Sequence, residues 1–172
     1  MTIKLGTRLE YQLALTEQIN SRVEQASTTV PVLGVTLGEE RWLIPMNDVG
    51  EVLPVPKITA VFLTQPWFLG AINVRGKLYG LCDLAQYCGG VSTRIGVKTR
   101  VLLIASRLGP NCAILAGCML GIRSLSEFTQ QIDCHDTRLF VEGVYRDRQG
   151  RIWRILNLPI LMRLDSFFRI AR

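Results

Sequence analysis

The hydrophobic pattern of the chain changes period near Val30. Before it, residues 7–26 read as a helix, with Leu9, Leu13, Ile19 and Val23 on one face and Thr16 and Asn20 thinning the stripe. Thr7 and Glu10 form a capping box at its start, and Ser27-Thr28-Thr29 ends it. So narrow a stripe leaves two uses open, packing against the body of the protein or gripping a partner. After Val30 the period is that of strands, near 31–38, 41–46, 49–54, 69–75 and 77–82. Pro54, Pro56 and Pro66 fall between strands, where a missing amide does no harm.

The last two strands of that series form a hairpin. Ile72 and Val74 alternate with Ala71, Asn73 and Arg75, Gly76 supplies a residue free to take positive φ, and Lys77 keeps the turn wet. Leu78 and Leu81 resume the apolar pattern, and Asp83 ends it. Asp83 to Cys88 reads as a short helical turn closed by Gly89-Gly90, and residues 91–98 as an exposed polar connection.

The second half repeats the style. Arg100 to Ala105 is a near-continuous apolar run, which predicts a strand buried on both faces. Gly109-Pro110-Asn111 is a turn, Cys112 to Ala116 the returning strand, and Met119 to Leu125 another. Residues 126–137 read as a loop with a short helical start. Arg138 to Tyr145 and Arg151 to Leu156 form a hairpin around Asp147-Arg148-Gln149-Gly150. Asn157-Leu158-Pro159 then opens a final helix with Leu161, Leu164, Phe167 and Phe168 on its inner face. Many short strands, Gly and Pro turns and terminal helices predict a mainly β protein built from small barrels, two sets of roughly five strands sharing an interface.

Composition agrees with a globular chain. Of 172 residues, 48% are hydrophobic and 20% charged, and this length buries roughly 70% of the surface that the unfolded chain exposes. The uncharged run between Arg107 and Arg123 is too short to span a membrane, and the N-terminus lacks a secretory h-region; both predict a cytoplasmic protein. The five cysteines (82, 88, 112, 118 and 134) show no C-x-x-C spacing, which argues against a disulfide framework or a zinc site. Cys82, Cys112 and Cys118 sit in apolar runs as small core residues. Net charge is +6 but uneven: residues 1–90 carry 7 basic and 8 acidic residues, residues 91–172 carry 13 and 6. A basic half is either a solvated surface or a contact for nucleic acid, anionic membrane or an acidic protein face.

The run Gly70-Ala71-Ile72-Asn73-Val74-Arg75-Gly76, followed by an apolar strand ending in Asp83-Leu84, resembles the signature of CheW-like domains, the coupling modules of bacterial chemotaxis arrays. The resemblance extends upstream through Val35 to Glu40, Leu43-Ile44-Pro45, Val49 to Leu53, Pro56 to Thr59 and Pro66 to Leu69, and covers about residues 30–165. Within the family, Asn73-Val74-Arg75-Gly76 and the long N-terminal segment are most similar to adaptors of pilus-linked (twitching) chemosensory systems. The resemblance implies two small five-stranded, SH3-like barrels that exchange chain segments around a shared core, a domain over 30–172, and residues 1–29 as a helical extension and linker. It also implies the partners: the regulatory domain of a CheA-type histidine kinase and the cytoplasmic tip of a methyl-accepting chemoreceptor. Two departures stand out, Gly117 and Asn157, each where the family commonly carries aspartate.

Three function classes compete. An enzyme finds nothing to assemble: the lone histidine, in Cys134-His135-Asp136, lies in a loop, and H-E-x-x-H, G-x-S-x-G and phosphate-loop patterns are absent. Neither cofactor nor metal is expected. A small-barrel nucleic-acid binder would use the basic half with Phe128, Phe140, Tyr145, Trp153, Phe167 and Phe168 as stacking platforms, but no strand alternates basic with aromatic residues. A coupling adaptor needs no active site, only two exposed faces of different character, and is the reading preferred, without nucleic-acid binding or membrane insertion.

For that reading, the resemblance carries the functional arginine onto Arg75 and its carboxylate partner onto Glu51, with Asn73 and Gly76 completing the receptor-side turn. The alternative for Asn73 and Arg75 is an ordinary solvated turn. Kinase docking is expected on the apolar side of residues 42–53, at Trp42, Met46 and Val49, because those strands hold more apolar residues than one inner face needs. The competing reading buries all three.

Overall fold

The computed structural model describes residues 30–172; the helix expected over 7–26 and its linker lie outside them. Twelve strands follow in order: β1 (Pro31–Leu37), β2 (Glu40–Pro45), β3 (Val49–Pro54), β4 (Ile58–Thr59), β5 (Phe68–Val74), β6 (Lys77–Cys82), β7 (Arg100–Ile104), β8 (Cys112–Ala116), β9 (Cys118–Ser124), β10 (Thr129–Gln130), β11 (Val141–Arg146) and β12 (Ile152–Leu156). Among the described residues helix is confined to single turns, α1 (Leu84–Tyr87), α2 (Leu158–Leu161) and α3 (Asp165–Phe168), and to three 3-10 turns at Met46–Asp48, Ser106–Leu108 and Leu125–Glu127.

The strands form two six-stranded sheets, β10-β11-β12-β2-β1-β9 and β3-β7-β8-β6-β5-β4. In each, five strands of ordinary length carry the expected barrel, and a two-residue strand, β10 or β4, is added at one edge. The sheets do not follow the sequence halves. β1 and β2 leave the first half and join β9 to β12, with β2 running parallel to β12 (Trp42 opposite Arg154). This is the exchange of segments that the family resemblance implies.

The exchange explains the near-continuous apolar strands. Val101 and Leu103 of β7 point into the second sheet's own core with Ile72, Leu81, Ala113 and Leu115. Leu102 and Ile104 point the other way, into a core shared with Leu33, Val35, Trp42 and Ile44 of the first sheet. β8 does the same: Cys112, Ile114 and Ala116 face the shared core, Ala113 and Leu115 their own. A third cluster fills the first sheet with Val32, Leu43, Phe128, Trp153 and Ile155. Each large aliphatic side chain so buried stabilises the fold by roughly 1.5–3 kcal/mol relative to exposure.

Gly70 sets how β4 meets β5. Its φ is +131°, and a Cβ there would sit 2.2 Å from the Thr59 carbonyl oxygen, so only glycine lets the two strands approach. The short strand β4 itself was not visible in the periodicity, because two residues carry no period.

The C-terminal helix expected as one piece is two single turns. Asn157 caps the first, accepting from the Ile160 amide at 2.9 Å, and Leu164 in extended conformation separates them. Leu161 and Phe167 are buried as expected and Leu164 is half-buried; Phe168, next to Phe167 in the same turn and so on a different face of it, is 41% exposed.

Candidate functional site

Asn73, Val74, Arg75 and Gly76 close the β5–β6 hairpin. Val74 pairs with Lys77, so Arg75 and Gly76 are the two-residue loop, and both have positive φ, +49° and +82°. That pattern marks the primed turns whose twist matches a hairpin, with glycine favoured at the second position and small polar residues at the first. Arg75 is neither small nor free of strain there. Asn73 supports the turn, its Oδ1 accepting from the Gly76 amide at 2.9 Å. The side chain of Asn73 is thus spent locally, on holding the arginine's backbone.

The guanidinium of Arg75 then reaches Glu51 on β3, donating from Nη1 to Oε2 at 2.8 Å and from Nη2 to Oε1 at 2.6 Å. This fork-on-carboxylate geometry fixes orientation as well as charge. The side chains remain 78% and 35% exposed. Hydrogen bonding from Arg75 holds Glu51 below the usual carboxylate range, and Glu51 in turn raises the arginine's affinity for its proton. The structure therefore brings Arg75, Glu51, Asn73 and Gly76 together at one barrel mouth.

The second expected surface divides. Trp42 is 1% exposed and belongs to the shared core, its ring stacked 6.3 Å from Phe140 and covered by Arg138 at 4.9 Å. This corrects the expectation of an exposed Trp42: on a strand apolar on both faces, the exchanged sheet covers the side that seemed spare. Met46 and Val49 are half-buried, packed on the edge of the same core. Their turn is held rigidly. Asp48 accepts from Arg107, Arg107 also donates to the Asn47 carbonyl at 2.8 Å, and the Ala105 amide donates to the Asp48 carbonyl at 2.9 Å. Beyond them on β3, Val52 is the exposed apolar residue.

One exposed apolar feature escaped the sequence reading. Val61, Phe62 and Leu63 form a loop tip, with Phe62 90% exposed and Leu63 at φ +58°. The C-terminal tail clamps its base: the Arg172 amide donates to the Leu63 carbonyl at 2.9 Å and the Gln65 amide to the Ile170 carbonyl at 2.7 Å. The available signal was an apolar run between Pro56 and Pro66 that fits no strand period.

A charge cluster organises the other sheet. Arg138 donates to both Glu40 and Asp136, and Arg154 to Asp136 at 2.8 Å, while Arg138 lies over Trp42. Hydrogen bonds from Arg138, then Arg154, hold the Asp136 carboxyl well below the usual range. Asp136 thus serves as an anchor for the 131–140 loop, and the Cys134-His135-Asp136 run forms no triad. At the β11–β12 turn Asp147, almost buried, accepts from Trp153 Nε1, Arg151 and the Gln149 amide. Burial pushes its carboxyl up, and these donors outweigh burial and hold it well below the usual range. Of the aromatics weighed as stacking platforms, Phe128, Phe140, Trp153 and Phe167 are core residues. Among the described residues no helix is long and apolar enough to cross a membrane.

Comparison with known proteins converges on one family. Residues 31–166 match the model of the CheW-like domain. Protein PilI of Pseudomonas aeruginosa is 27% identical over 145 residues, covering 81% of this chain and 79% of that protein. The crystal structure of the scaffolding protein TtCheW from Thermoanaerobacter tengcongensis superimposes with a TM-score of 0.67 at 22% identity, covering 80% of this chain and 95% of that one, and so shares the fold.

Proposed function

The chain belongs to the CheW-like domain family, and from that premise we propose that it is a non-catalytic adaptor coupling a chemoreceptor to a CheA-type histidine kinase. Its system is the one that controls type IV pilus (twitching) motility, a reading supported by the similarity to PilI. The partners are the cytoplasmic tip of a methyl-accepting receptor and the kinase's regulatory domain, and the protein works in the cytoplasm.

The observation that carries the reading is the Arg75–Glu51 pair. An exposed ion pair adds little to stability, so the fold has small use for an arginine in a left-handed turn. A preset guanidinium at an interface is a different matter, because ordered arginines are among the side chains that dominate binding. Backbone strain at an exposed, polar, fully built position is the kind of outlier that accompanies function. Receptor docking falls on Arg75 and Glu51. Kinase docking falls on Met46 and Val49, whose turn is pinned by Arg107 and Asp48. Two rigid surfaces on one body let receptor state pass to the kinase with little loss of ordering entropy.

Co-sedimentation of the purified protein with a receptor tip and a kinase regulatory domain tests this. Formation of the ternary complex is the expected result, with receptor binding lost in Arg75→Ala and kinase binding lost in Met46→Glu. Failure to bind either partner would end the adaptor reading.

A further inference from the structure

The connection between α1 and β7 is a built surface. Asp83, 0% exposed, accepts from the Ala85 amide at 3.1 Å on α1 and from Ser92 Oγ, the Thr93 amide and Thr93 Oγ1 at 3.3, 2.6 and 3.0 Å on the connection. Thr99, buried, accepts from the Gly96 amide at 2.8 Å and donates to the Arg94 carbonyl at 3.1 Å. Arg100 donates to the Val97 and Thr99 carbonyls at 2.7 and 2.8 Å. Two buried polar side chains and one guanidinium thus fix a segment that has no regular secondary structure.

What this segment shows to solvent is aliphatic and basic. Val91 is 76%, Ile95 55% and Val97 95% exposed, and Arg94 and Lys98 alternate with them. Neither Arg94 nor Lys98 has an ion-pair partner among the described residues. The sequence holds no acidic residue between Asp83 and Glu127. Glu39 and Glu40 share a shallow cleft with Val91, and Glu40 is engaged by Arg138. Three exposed aliphatic side chains within seven residues, on a backbone held by buried Asp83 and Thr99, offer a partner apolar surface in a fixed segment.

We propose that the 91–98 connection is a docking surface for an acidic protein segment that carries aliphatic side chains, its carboxylates meeting Arg94 and Lys98 and its apolar side chains covering Ile95 and Val97. Charge complementarity selects the acidic class of partner. The prebuilt loop lowers the ordering cost of binding. This surface goes beyond the receptor and kinase contacts proposed above and does not depend on them.

Amide shifts of the full-length protein in NMR test the proposal, with a soluble amphipathic Leu/Glu peptide as probe, its Leu/Lys counterpart as control and phosphatidylglycerol vesicles as a third arm. The Leu/Glu peptide is expected to shift the amides of Val91 to Lys98, less so as salt rises. Binding should fall about tenfold in the Arg94→Glu/Lys98→Glu variant. The thermal transition of that variant should stay unchanged, since both side chains are exposed. Absence of shifts at 91–98, an equal response to the Leu/Lys peptide, or a response to vesicles alone would overturn it. Receptor and kinase binding of the same variant, measured by co-sedimentation, should match wild type, which keeps failure here separate from failure of the adaptor reading.

Discussion

The guanidinium of Arg75, on a turn residue with φ +49°, closes on both carboxylate oxygens of Glu51, at 2.8 and 2.6 Å, from the far side of a barrel mouth. The pair links the β5–β6 hairpin to the edge strand β3, between which the sheet has no backbone hydrogen bonds. Arg75→Ala is expected to melt within a few degrees of wild type and to lose receptor-dependent control of the kinase. Arg75→Gly removes the same contact while relieving the left-handed strain, so it should melt no lower than Arg75→Ala and show the same functional loss. The swap Glu51→Arg with Arg75→Glu should regain part of the local geometry but not receptor binding. Unchanged coupling in both single variants, measured by kinase autophosphorylation with receptor present, would reduce Arg75 to a structural residue.

Trp42 and Met46 should separate fold from docking. Trp42 fills the shared core, and truncating a buried tryptophan to alanine costs about 3–5 kcal/mol. Its indole Nε1 is buried without a hydrogen-bond partner, so Trp42→Phe sheds an unsatisfied donor and should cost far less than Trp42→Ala. Met46→Glu, at a half-buried rim position, should retain a cooperative urea transition while losing kinase binding. A molten Met46→Glu protein would place Met46 in the core instead.

These contrasts show what the sequence could and could not reveal. The near-continuous apolar run from Arg100 to Ala105 announced a strand buried on both faces, and the structure supplies the two cores that receive Val101 and Leu102. The same rule misjudged Trp42, because an apolar residue facing a partner protein and one facing an exchanged sheet have identical periodicity. The parallel pairing of Trp42 with Arg154 joins distant parts of the chain that no local pattern connects. Arg75 and Glu51 were linked by family resemblance; their spacing alone carries no such signal. The Asp83 and Thr99 hydrogen bonds that build the 91–98 surface join side chains to backbone and to the Ser92 and Thr93 hydroxyls, and a polar loop in sequence hides them.

Acid should loosen the 131–140 loop. Asp136 is held well below the usual carboxylate range by Arg138, then Arg154. A carboxylate with a depressed folded pKa contributes stability that is present above its unfolded pKa, near 3.9, and is lost as pH falls toward the folded value. Urea midpoints should therefore be flat above about pH 5 on this account and fall below about pH 4. Asp136→Asn should lower the midpoint at neutral pH and flatten the acid limb. Leaving Arg138 and Arg154 short of a counter-charge at a partly exposed site costs about 1–3 kcal/mol. An acid limb of equal steepness in Asp136→Asn would assign the dependence to other carboxylates, with Asp147 and its donors next to be tested.

Among the described residues, the three cores draw on side chains from Val32 to Phe167. A protein truncated before Val30 is accordingly expected to stay soluble and to unfold in one cooperative transition, followed by circular dichroism in urea. An insoluble or molten product would show that the N-terminal segment completes one of those cores.

At Gly117 the family resemblance leads to an expectation of aspartate, and the structure gives glycine a local reason there. The Gly117 amide donates to the Thr36 carbonyl at 2.9 Å, and a Cβ on Gly117 would stand 3.0 Å from Thr36 Oγ1 and 3.7 Å from Thr93 Cγ2. Bare backbone at this point lets β1, the link from β8 to β9 and the 91–98 connection converge. Gly117→Asp must push the Thr36 hydroxyl aside, and overpacking of this kind typically costs about 1–3 kcal/mol. The neighbouring Thr93 is held by Asp83, so the strain should pass along the connection instead of relaxing at once. The expected result is a lower urea midpoint for Gly117→Asp and faster amide exchange at Thr93. Thr36→Ala in the same background removes the crowded oxygen and should recover most of the loss, since coupling between touching residues is what a double-mutant cycle detects. A Gly117→Asp protein as stable as wild type, with no coupling to Thr36, would mean that the aspartate fits here and that its replacement by glycine has no steric cause.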